Sequence, residues 1–377
     1  MKWPSHYPEE SGVYLDAQNE LPDPDNSDVG YVAKSRQDVF CGVDMWGRGS
    51  YGGGGFGAHK AISCIDPRRS RLSVALFGQA WSWESEEDKP DFTWEKWWKH
   101  EQSLWLGSRN DLSPLFDSVV DQLQSVPGAF SIQPIPLKAY FHSSPPPIPT
   151  LIPFDTTFSP GIGFALFLEG NRVPDDREAG WTDINKQTSL GDLIWPIPHV
   201  FRTLEGCQDV EQPLLLRDVD ASVSLSFLDA WKGGSSMFVR LSSSNDFFSG
   251  GDVSLLCLPI NSIALPVAVL FTVSAVYKVP SSADYVLEPW ISNRTLLPLP
   301  VIRQSKQHVP LPNGWCRTSL DFAIDDQVKL VPAISDALVG VVIRRAGGSA
   351  SAIPTISLHI GQLSLTPVTL HIQNAPK

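Results

Sequence analysis

The stretch from Asp38 to Gly57 constrains the fold of this chain more than any other. Residues 39–43 are a short, mostly apolar run with β-branched and aromatic side chains, which predicts a strand buried on both faces. Asp44, Trp46 and Arg48 follow it, and a glycine-rich loop begins at once. In a parallel α/β protein, ligands bind where strands end. A carboxylate, an indole and a guanidinium on such a loop suit a sugar, whose ring face stacks and whose hydroxyls form hydrogen bonds.

The glycines also match two nucleotide-binding patterns. Residues 47–52 fit G-x-G-x-x-G, which alone is a weak signal. Trp46 and Arg48 would crowd the backbone where a pyrophosphate approaches, and no acidic residue closes a second strand nearby. A phosphate loop needs Gly-Lys-Ser/Thr, whereas Gly57 is followed by alanine and histidine. A disordered glycine linker is disfavoured because linkers do not begin on a buried strand.

Residues 43–49 (Val-Asp-Met-Trp-Gly-Arg-Gly), with the glycine run that follows, resemble the seventh-strand signature of glycoside hydrolase family 85. Members of this family are endo-β-N-acetylglucosaminidases that cut the chitobiose core of N-glycans. Residues 72–77, followed by Trp81 and Glu84, resemble the family's eighth strand and the aromatic residues beyond it. Three more stretches resemble family motifs in the family's order: 153–161, 181–192 and, more weakly, 230–236.

Hydrophobic periodicity changes along the chain. The predicted strands at 39–44 and 72–77, with a helix over 58–65 between them, have the spacing of one βαβ unit, about 33 residues. Tryptophan spacing predicts a packed helix over 93–106, and apolar spacing predicts another over 115–123. Period-two runs then follow at 222–227, 253–257, 267–276 and 356–365, which indicates an antiparallel β-sandwich.

These observations and the resemblance together predict an α/β plus all-β chain: the C-terminal part of a TIM (β/α)8 barrel, then an antiparallel β-sandwich. The proline-rich run at 145–149 is the best boundary candidate. We expect a partial glycosidase barrel over 1–150, a barrel end and interdomain connector over 151–198, a carbohydrate-binding-like sandwich over 199–367 and a tail over 368–377.

Charge and cysteine content narrow the class of protein. The net charge of −12 argues against nucleic acid and against an anionic membrane surface as partners. No apolar signal segment follows Met1, and no run approaches a membrane span. The five cysteines are odd in number and scattered, without C-x-x-C, so neither a disulfide framework nor a zinc site is suggested. We therefore expect a cytosolic protein without a metal or cofactor.

Catalysis in the family is similar to substrate-assisted hydrolysis, in which the substrate's own acetamide attacks the anomeric carbon. The resemblance implies an Asn-x-Glu motif, with the glutamate as acid/base, but no asparagine here is followed two places later by glutamate. A full barrel takes about 250 residues, and only 1–150 precede the predicted connector. We therefore expect an N-terminally truncated sequence or one piece of a split enzyme, with no catalytic residue and no hydrolysis by the chain alone.

The predicted substrate contacts are the residues that follow the two strands. Trp46 and Trp81 are expected to stack on sugar rings. Asp44 has two equally supported roles, hydrogen bonding to sugar hydroxyls or a buried salt bridge to Arg48. Glu84 is the nearest carboxylate beyond the second strand, although it opens an acidic run that favours a solvated face.

Two functions are compatible with this sequence. The first is a family 85 endoglycosidase acting on an N-glycan or glycoprotein substrate, with deglycosylation in the cytosol as the role that the resemblance implies. The second is a non-catalytic carbohydrate-binding or interaction module derived from that family. The tryptophan-rich motifs support both functions, and the missing Asn-x-Glu supports the second.

Overall fold

A computed structural model describes the chain in segments that form two compact units, residues 1–144 and 145–377. The described residues are 35–107, 135–141, 148–151, 153–174, 180–190, 199–203, 219–243, 253–267, 269–280, 285–293, 299, 301–324, 333–345, 353 and 355–368. Most of their regular structure is β-strand, arranged in several sheets.

The first unit alternates two strands with helices, as the sequence predicts. The strands are β1 (Phe40–Asp44) and β2 (Ser73–Phe77). The helices are α1 (His59–Ile65), α2 (Pro67–Ser70), α3 (Trp81–Glu84) and α4 (Trp94–Trp105). Both predicted strands and the helices predicted at 58–65 and 93–106 are confirmed, while the helix predicted at 115–123 lies outside the described residues.

The parallel pairing of β1 with β2 sets the register of the first unit. Phe40 lies opposite Ser73, and Asp44 lies opposite Phe77 at the carboxyl ends. One face of this pair packs on the helices through a buried cluster. The cluster contains Val43, Met45, Ala58, Ile62, Leu104, Leu137 and Tyr140. Its apolar contacts hold one face of the strand pair against the helices.

The predicted burial of the first strand on both faces is wrong. Val43 is buried, but Phe40 and Gly42, on the opposite face, are exposed. Ala75 and Phe77 of β2 are exposed on that same face. A parallel strand is buried on both sides only where elements cover both faces, and the helical cluster covers one.

The second unit consists of antiparallel strands. They are β3 (Phe154–Thr156), β4 (Pro160–Gly163), β5 (Phe167–Leu168), β6 (Asn171–Arg172), β7 (Trp181–Gln187), β8 (His199–Thr203), β9 (Val219–Ser226), β10 (Lys232–Gly233), β11 (Ser236–Ser243), β12 (Val253–Pro266), β13 (Leu270–Lys278), β14 (Tyr285–Ser292), β15 (Val301–Pro310), β16 (Trp315–Ile324), β17 (Ala333–Arg345) and β18 (Thr355–Pro367).

Two large sheets dominate this unit. One has the order β15-β16-β13-β18-β11-β9, with β3 also paired to β18, and the other has the order β14-β17-β12-β8. The hydroxyl of Tyr285 on β14 donates to the backbone oxygen of Ser357 on β18, at 2.6 Å, which links the two sheets. The four period-two runs of the sequence lie in or overlap β9, β12, β13 and β18, so these strand predictions are confirmed.

Within the described residues, no helix is both long and apolar enough to cross a membrane. The residues predicted as an interdomain connector include β3, which pairs with β18 in the large sheet of the second unit. The division of the chain into four ranges stays a prediction.

Candidate functional site

The carboxyl ends of β1 and β2 carry two loops, and the loop after β1 is hydrogen-bonded to the end of β2. The backbone N–H of Met45 donates to the carbonyl of Phe77 at 2.9 Å, extending the ladder one residue beyond β1. The carbonyl of Met45 in turn accepts the N–H of Gly55 at 2.8 Å, so the glycine-rich loop folds back over the strand end. These bonds hold the first loop, which carries Trp46 and Arg48, against the carboxyl ends of both strands.

Asp44 organises the first loop. Its Oδ2 accepts from Arg48 Nε at 2.8 Å, and its Oδ1 accepts from Arg48 Nη2 at 3.2 Å and from the backbone N–H of Trp46 at 3.0 Å. Of the two predicted roles, the structure contains the salt bridge to Arg48. The hydrogen bond from Arg48 lowers the pKa of Asp44, and the same bond raises the pKa of Arg48.

Arg48 is the more accessible member of the pair. Its side chain is 60% exposed, against 17% for Asp44, so the pair is not fully buried. The guanidinium carbon lies 5.4 Å from the ring centroid of Phe77, at the end of β2, in a cation–π arrangement. A guanidinium held between a carboxylate and a ring keeps a defined plane while its other N–H groups remain available to a ligand.

Trp46 presents the exposed aromatic surface at this edge. Its side chain is 41% exposed, and its indole N–H donates to Glu84 Oε2 at 3.1 Å. The ring lies on Gly78, where an added Cβ would come within 3.0 Å of Trp46 Cδ1. Glu84 is thus an acceptor for the indole, a role that the acidic run around it did not indicate.

Trp81 has the opposite environment. Its ring lies on Gly55, where an added Cβ would come within 2.5 Å of the indole. The centroid of Phe56 lies 5.7 Å away, edge-on, and that of His100 lies 5.0 Å away. The ring also packs against the buried cluster of the first unit. Packing therefore accounts for this indole better than it does for Trp46.

The two loops therefore interlock, since each tryptophan lies on a glycine of the other loop. The resulting edge combines an exposed indole face, a planar cation and two carboxylates. Such a surface can stack on a ring and form hydrogen bonds with hydroxyls. Within the described ranges, no group of three or more His, Cys, Asp or Glu side chains is positioned to hold a metal ion.

Two titratable groups of the first unit, the partly buried Glu101 and the buried His59, have shifted pKa values but were not among the predicted site residues. Burial raises the pKa of Glu101 on α4, whose Oε1 accepts the indole N–H of Trp105 at 2.9 Å. Burial lowers the pKa of His59 on α1. Neither residue stands in a motif, and the tryptophan spacing of α4 places Glu101 on the same side of the helix as Trp105.

Comparison with known proteins agrees with the family resemblance found in the sequence. The sequence model of glycosyl hydrolase family 85 matches residues 2–166. Cytosolic endo-beta-N-acetylglucosaminidase 1 of Arabidopsis thaliana is 38% identical over 72 residues, 19% of this chain and 10% of the relative. The Danio rerio cytosolic endo-beta-N-acetylglucosaminidase is 26% identical over 259 residues, 67% of this chain and 26% of the relative.

Among solved structures, the glycoside hydrolase domain of Endo-D from Streptococcus pneumoniae R6 matches 89% of this chain and 43% of that domain. The TM-score of this match is 0.47 and the sequence identity is 14%. The chain spans at most 26% of the length of the curated relatives it matches. The family resemblance expected from the sequence is confirmed.

Proposed function

We propose that this chain carries part of the glycan site of an endo-β-N-acetylglucosaminidase, because residues 2–166 match the sequence model of glycosyl hydrolase family 85. Its ligand is the chitobiose core of an N-glycan, free or attached to protein. The observation that carries the proposal is Trp46, an exposed indole anchored by Glu84 at the carboxyl ends of two parallel strands. Ligands of parallel α/β proteins bind at this end of the strands.

Each residue at this edge has a distinct role in the proposed site. Trp46 stacks on a sugar ring, and Glu84 holds its indole in one orientation. Arg48 donates its remaining N–H groups to sugar hydroxyls, and Asp44 keeps the guanidinium in place. Trp81 packs against Gly55 of the first loop and contacts sugar only through the part of its ring that remains exposed.

The architecture that we propose around this site is the C-terminal part of a TIM barrel followed by an antiparallel β-sandwich. The parallel β1–β2 pair with helices on one face supports the first part. The two antiparallel sheets of the second unit support the second part. The ranges 1–150, 151–198, 199–367 and 368–377 remain our proposed divisions.

We propose that the chain binds glycan without hydrolysing it. Substrate-assisted cleavage needs a group to protonate the leaving oxygen and a group to orient the acetamide. These 377 residues contain no Asn-x-Glu. General acid–base assistance contributes roughly 10²–10⁴-fold, and positioned intramolecular attack contributes about 7–11 kcal/mol, so losing both leaves no measurable turnover.

The test is calorimetric titration of the purified chain with a high-mannose glycopeptide. We expect saturable binding that weakens about tenfold in Trp46→Ala, because aromatic contact and burial of the ring contribute about 1.5 kcal/mol. Phe40→Ala is the matched control, since Phe40 is an exposed aromatic residue at the opposite end of β1. Equal losses in both variants, or no binding by the wild type, would refute the site.

The second candidate, a non-catalytic carbohydrate-binding module, is favoured by the missing Asn-x-Glu. An assay for released glycan with a single GlcNAc at its reducing end provides the check on hydrolysis, since any such product would refute the proposal that the chain binds glycan without cleaving it. The acidic net charge supports neither nucleic acid nor an anionic membrane as a partner. A cytosolic location is proposed from the names of the curated relatives.

A further inference from the structure

The second unit contains a pocket that the proposed site does not use. It lies where β14 of one large sheet meets β15 and β16 of the other, with β17 beside β14. Its volume is about 240 Å³, close to the lower end, about 300 Å³, of ordinary ligand sites. We call it the interstrand pocket, and it is lined by Glu288, Pro289, Trp290, Ser305, Lys306, Thr318, Leu320, Val342 and Arg344.

Three charged side chains meet in the interstrand pocket. Glu288 Oε1 accepts from Lys306 Nζ at 2.5 Å, and Glu288 Oε2 lies 3.4 Å from Arg344 Nε. Glu288 comes from one sheet and Lys306 from the other, so the ion pair spans the opening between the sheets. Two cations share one carboxylate, which leaves one positive charge without a partner inside the cluster.

The accessible hydrogen-bonding groups are mainly donors. The side chain of Lys306 is 51% exposed and can donate two further N–H bonds, whereas that of Glu288 is 17% exposed. The Ser305 hydroxyl already donates to Asp321 Oδ2 at 2.6 Å. Thr318 Oγ1 already lies 3.1 Å from His308 Nδ1. A ligand that completes these donors carries an anionic oxygen, because charge-assisted hydrogen bonds are stronger than neutral ones.

The floor of the pocket is apolar and preformed. Trp290 and Val342 are buried, and Pro289 and Leu320 complete the apolar lining. A compact ring with one apolar face fits such a floor, while its acidic group reaches the cations at the opening. The chain as a whole carries a net charge of −12, so an anionic ligand is attracted by Lys306 and Arg344 locally and not by the charge of the whole chain.

We propose that the interstrand pocket binds a carboxylated monosaccharide. The carboxylate of the ligand pairs with Lys306 and Arg344, in competition with Glu288, and its ring rests on the apolar floor. This site goes beyond the proposed function and is independent of it, since the residues involved belong to the second unit and Trp46 belongs to the first.

The experiment is calorimetric titration of the full chain with glucuronic acid, with glucose as the matched neutral probe and inorganic phosphate as the charge-only probe. We expect saturable binding of glucuronic acid and none of glucose or phosphate. Lys306→Met is expected to weaken binding by about tenfold or more, the loss of one charge-assisted hydrogen bond. Lys278→Met is the matched control, because Lys278 pairs with Asp229 at 2.7 Å and does not line the pocket.

A second variant distinguishes a ligand site from a purely structural ion pair, because this variant is expected to raise the affinity for glucuronic acid. Glu288→Gln removes the internal competitor of the ligand, so glucuronic acid should bind several-fold more tightly. Weaker or unchanged binding in that variant would overturn the proposal. The proposal would also be overturned by equal losses of affinity in Lys306→Met and Lys278→Met. Glucose or phosphate binding with the affinity of glucuronic acid, or the absence of saturation, would overturn it as well. Each of these outcomes leaves glycopeptide binding at Trp46 unaffected.

Discussion

The indole N–H of Trp46 donates a 3.1 Å hydrogen bond to Glu84 Oε2, although the two residues are 38 positions apart in the chain. The parallel pairing of β1 with β2 brings them together, because their loops leave the same edge of the sheet. The bond restrains an aromatic ring that is otherwise 41% exposed. A restrained ring loses less conformational entropy when a ligand stacks on it.

The first prediction concerns the acceptor of the Trp46 indole. Glu84→Leu removes the hydrogen bond, whereas Glu84→Gln keeps an acceptor at the same position. We expect glycopeptide affinity to fall about three- to tenfold in the leucine variant, as for the loss of one hydrogen bond, and little in the glutamine variant. The indole proton resonance of Trp46, followed by ¹⁵N NMR, should move upfield in Glu84→Leu. An unmoved resonance would show that the bond is absent in solution.

The second prediction concerns the glycine beneath Trp46. Gly78 has φ +68°, and a Cβ there would come within 3.0 Å of Trp46 Cδ1. Gly53 has φ +80° with no atom near an added Cβ, so Gly53→Ala carries the backbone penalty alone, about 1–2 kcal/mol. Gly78→Ala should lower the free energy of unfolding in urea further and displace the Trp46 indole resonance. If both variants behave alike, the ring does not rest on Gly78.

The third prediction concerns the Asp44–Arg48 pair. Arg48 lowers the pKa of Asp44 in the folded chain, so this stabilisation is complete above the unfolded pKa of about 3.9 and is lost as pH falls through the folded value. Arg48→Met should raise the pKa of Asp44, measured by ¹³C NMR of its carboxyl carbon. Arg69→Met is the control, because Arg69 pairs loosely with Asp66 at 3.9 Å. A pKa of Asp44 unaffected by Arg48→Met would contradict the assignment.

The fourth prediction concerns the partly buried Glu101. Burial raises its pKa in the folded chain, so stability falls as pH rises from the unfolded pKa of about 4.3 through the folded value. Glu101→Gln keeps an acceptor for the Trp105 indole without the charge. We expect its free energy of unfolding at pH 7 to rise by on the order of 1 kcal/mol, and the gain to shrink towards pH 4.

The control for this prediction lies on the same helix. Glu95 is exposed in the first turn of α4, so Glu95→Gln should change stability by less than about 0.5 kcal/mol at either pH. Urea unfolding of both variants at the two pH values provides the comparison. A loss of stability in Glu101→Gln at pH 7 would mean that the carboxylate is favourably paired.

Local patterns were sufficient to predict the elements of the first unit. The apolar run before Asp44 predicted β1, and tryptophan spacing predicted α4, because strand and helix periodicity depend on which side chains face the core. The same reasoning gave the wrong burial for β1. A run of apolar residues does not reveal whether one or both faces are covered, since covering elements come from distant parts of the chain.

By itself, the amino-acid sequence determined the positions of the principal strands, the family resemblance and the candidate residues Asp44, Trp46, Arg48, Trp81 and Glu84. These predictions depend on local periodicity and residue type, both of which can be recognised from residues that are neighbours in the sequence. Only the tertiary structure decided that Trp46 is exposed while Trp81 is packed, that Glu84 holds an indole, and that Glu288, Lys306 and Arg344 meet in one pocket. Those relationships depend on strand register and on contacts between residues far apart in sequence, which no local pattern specifies.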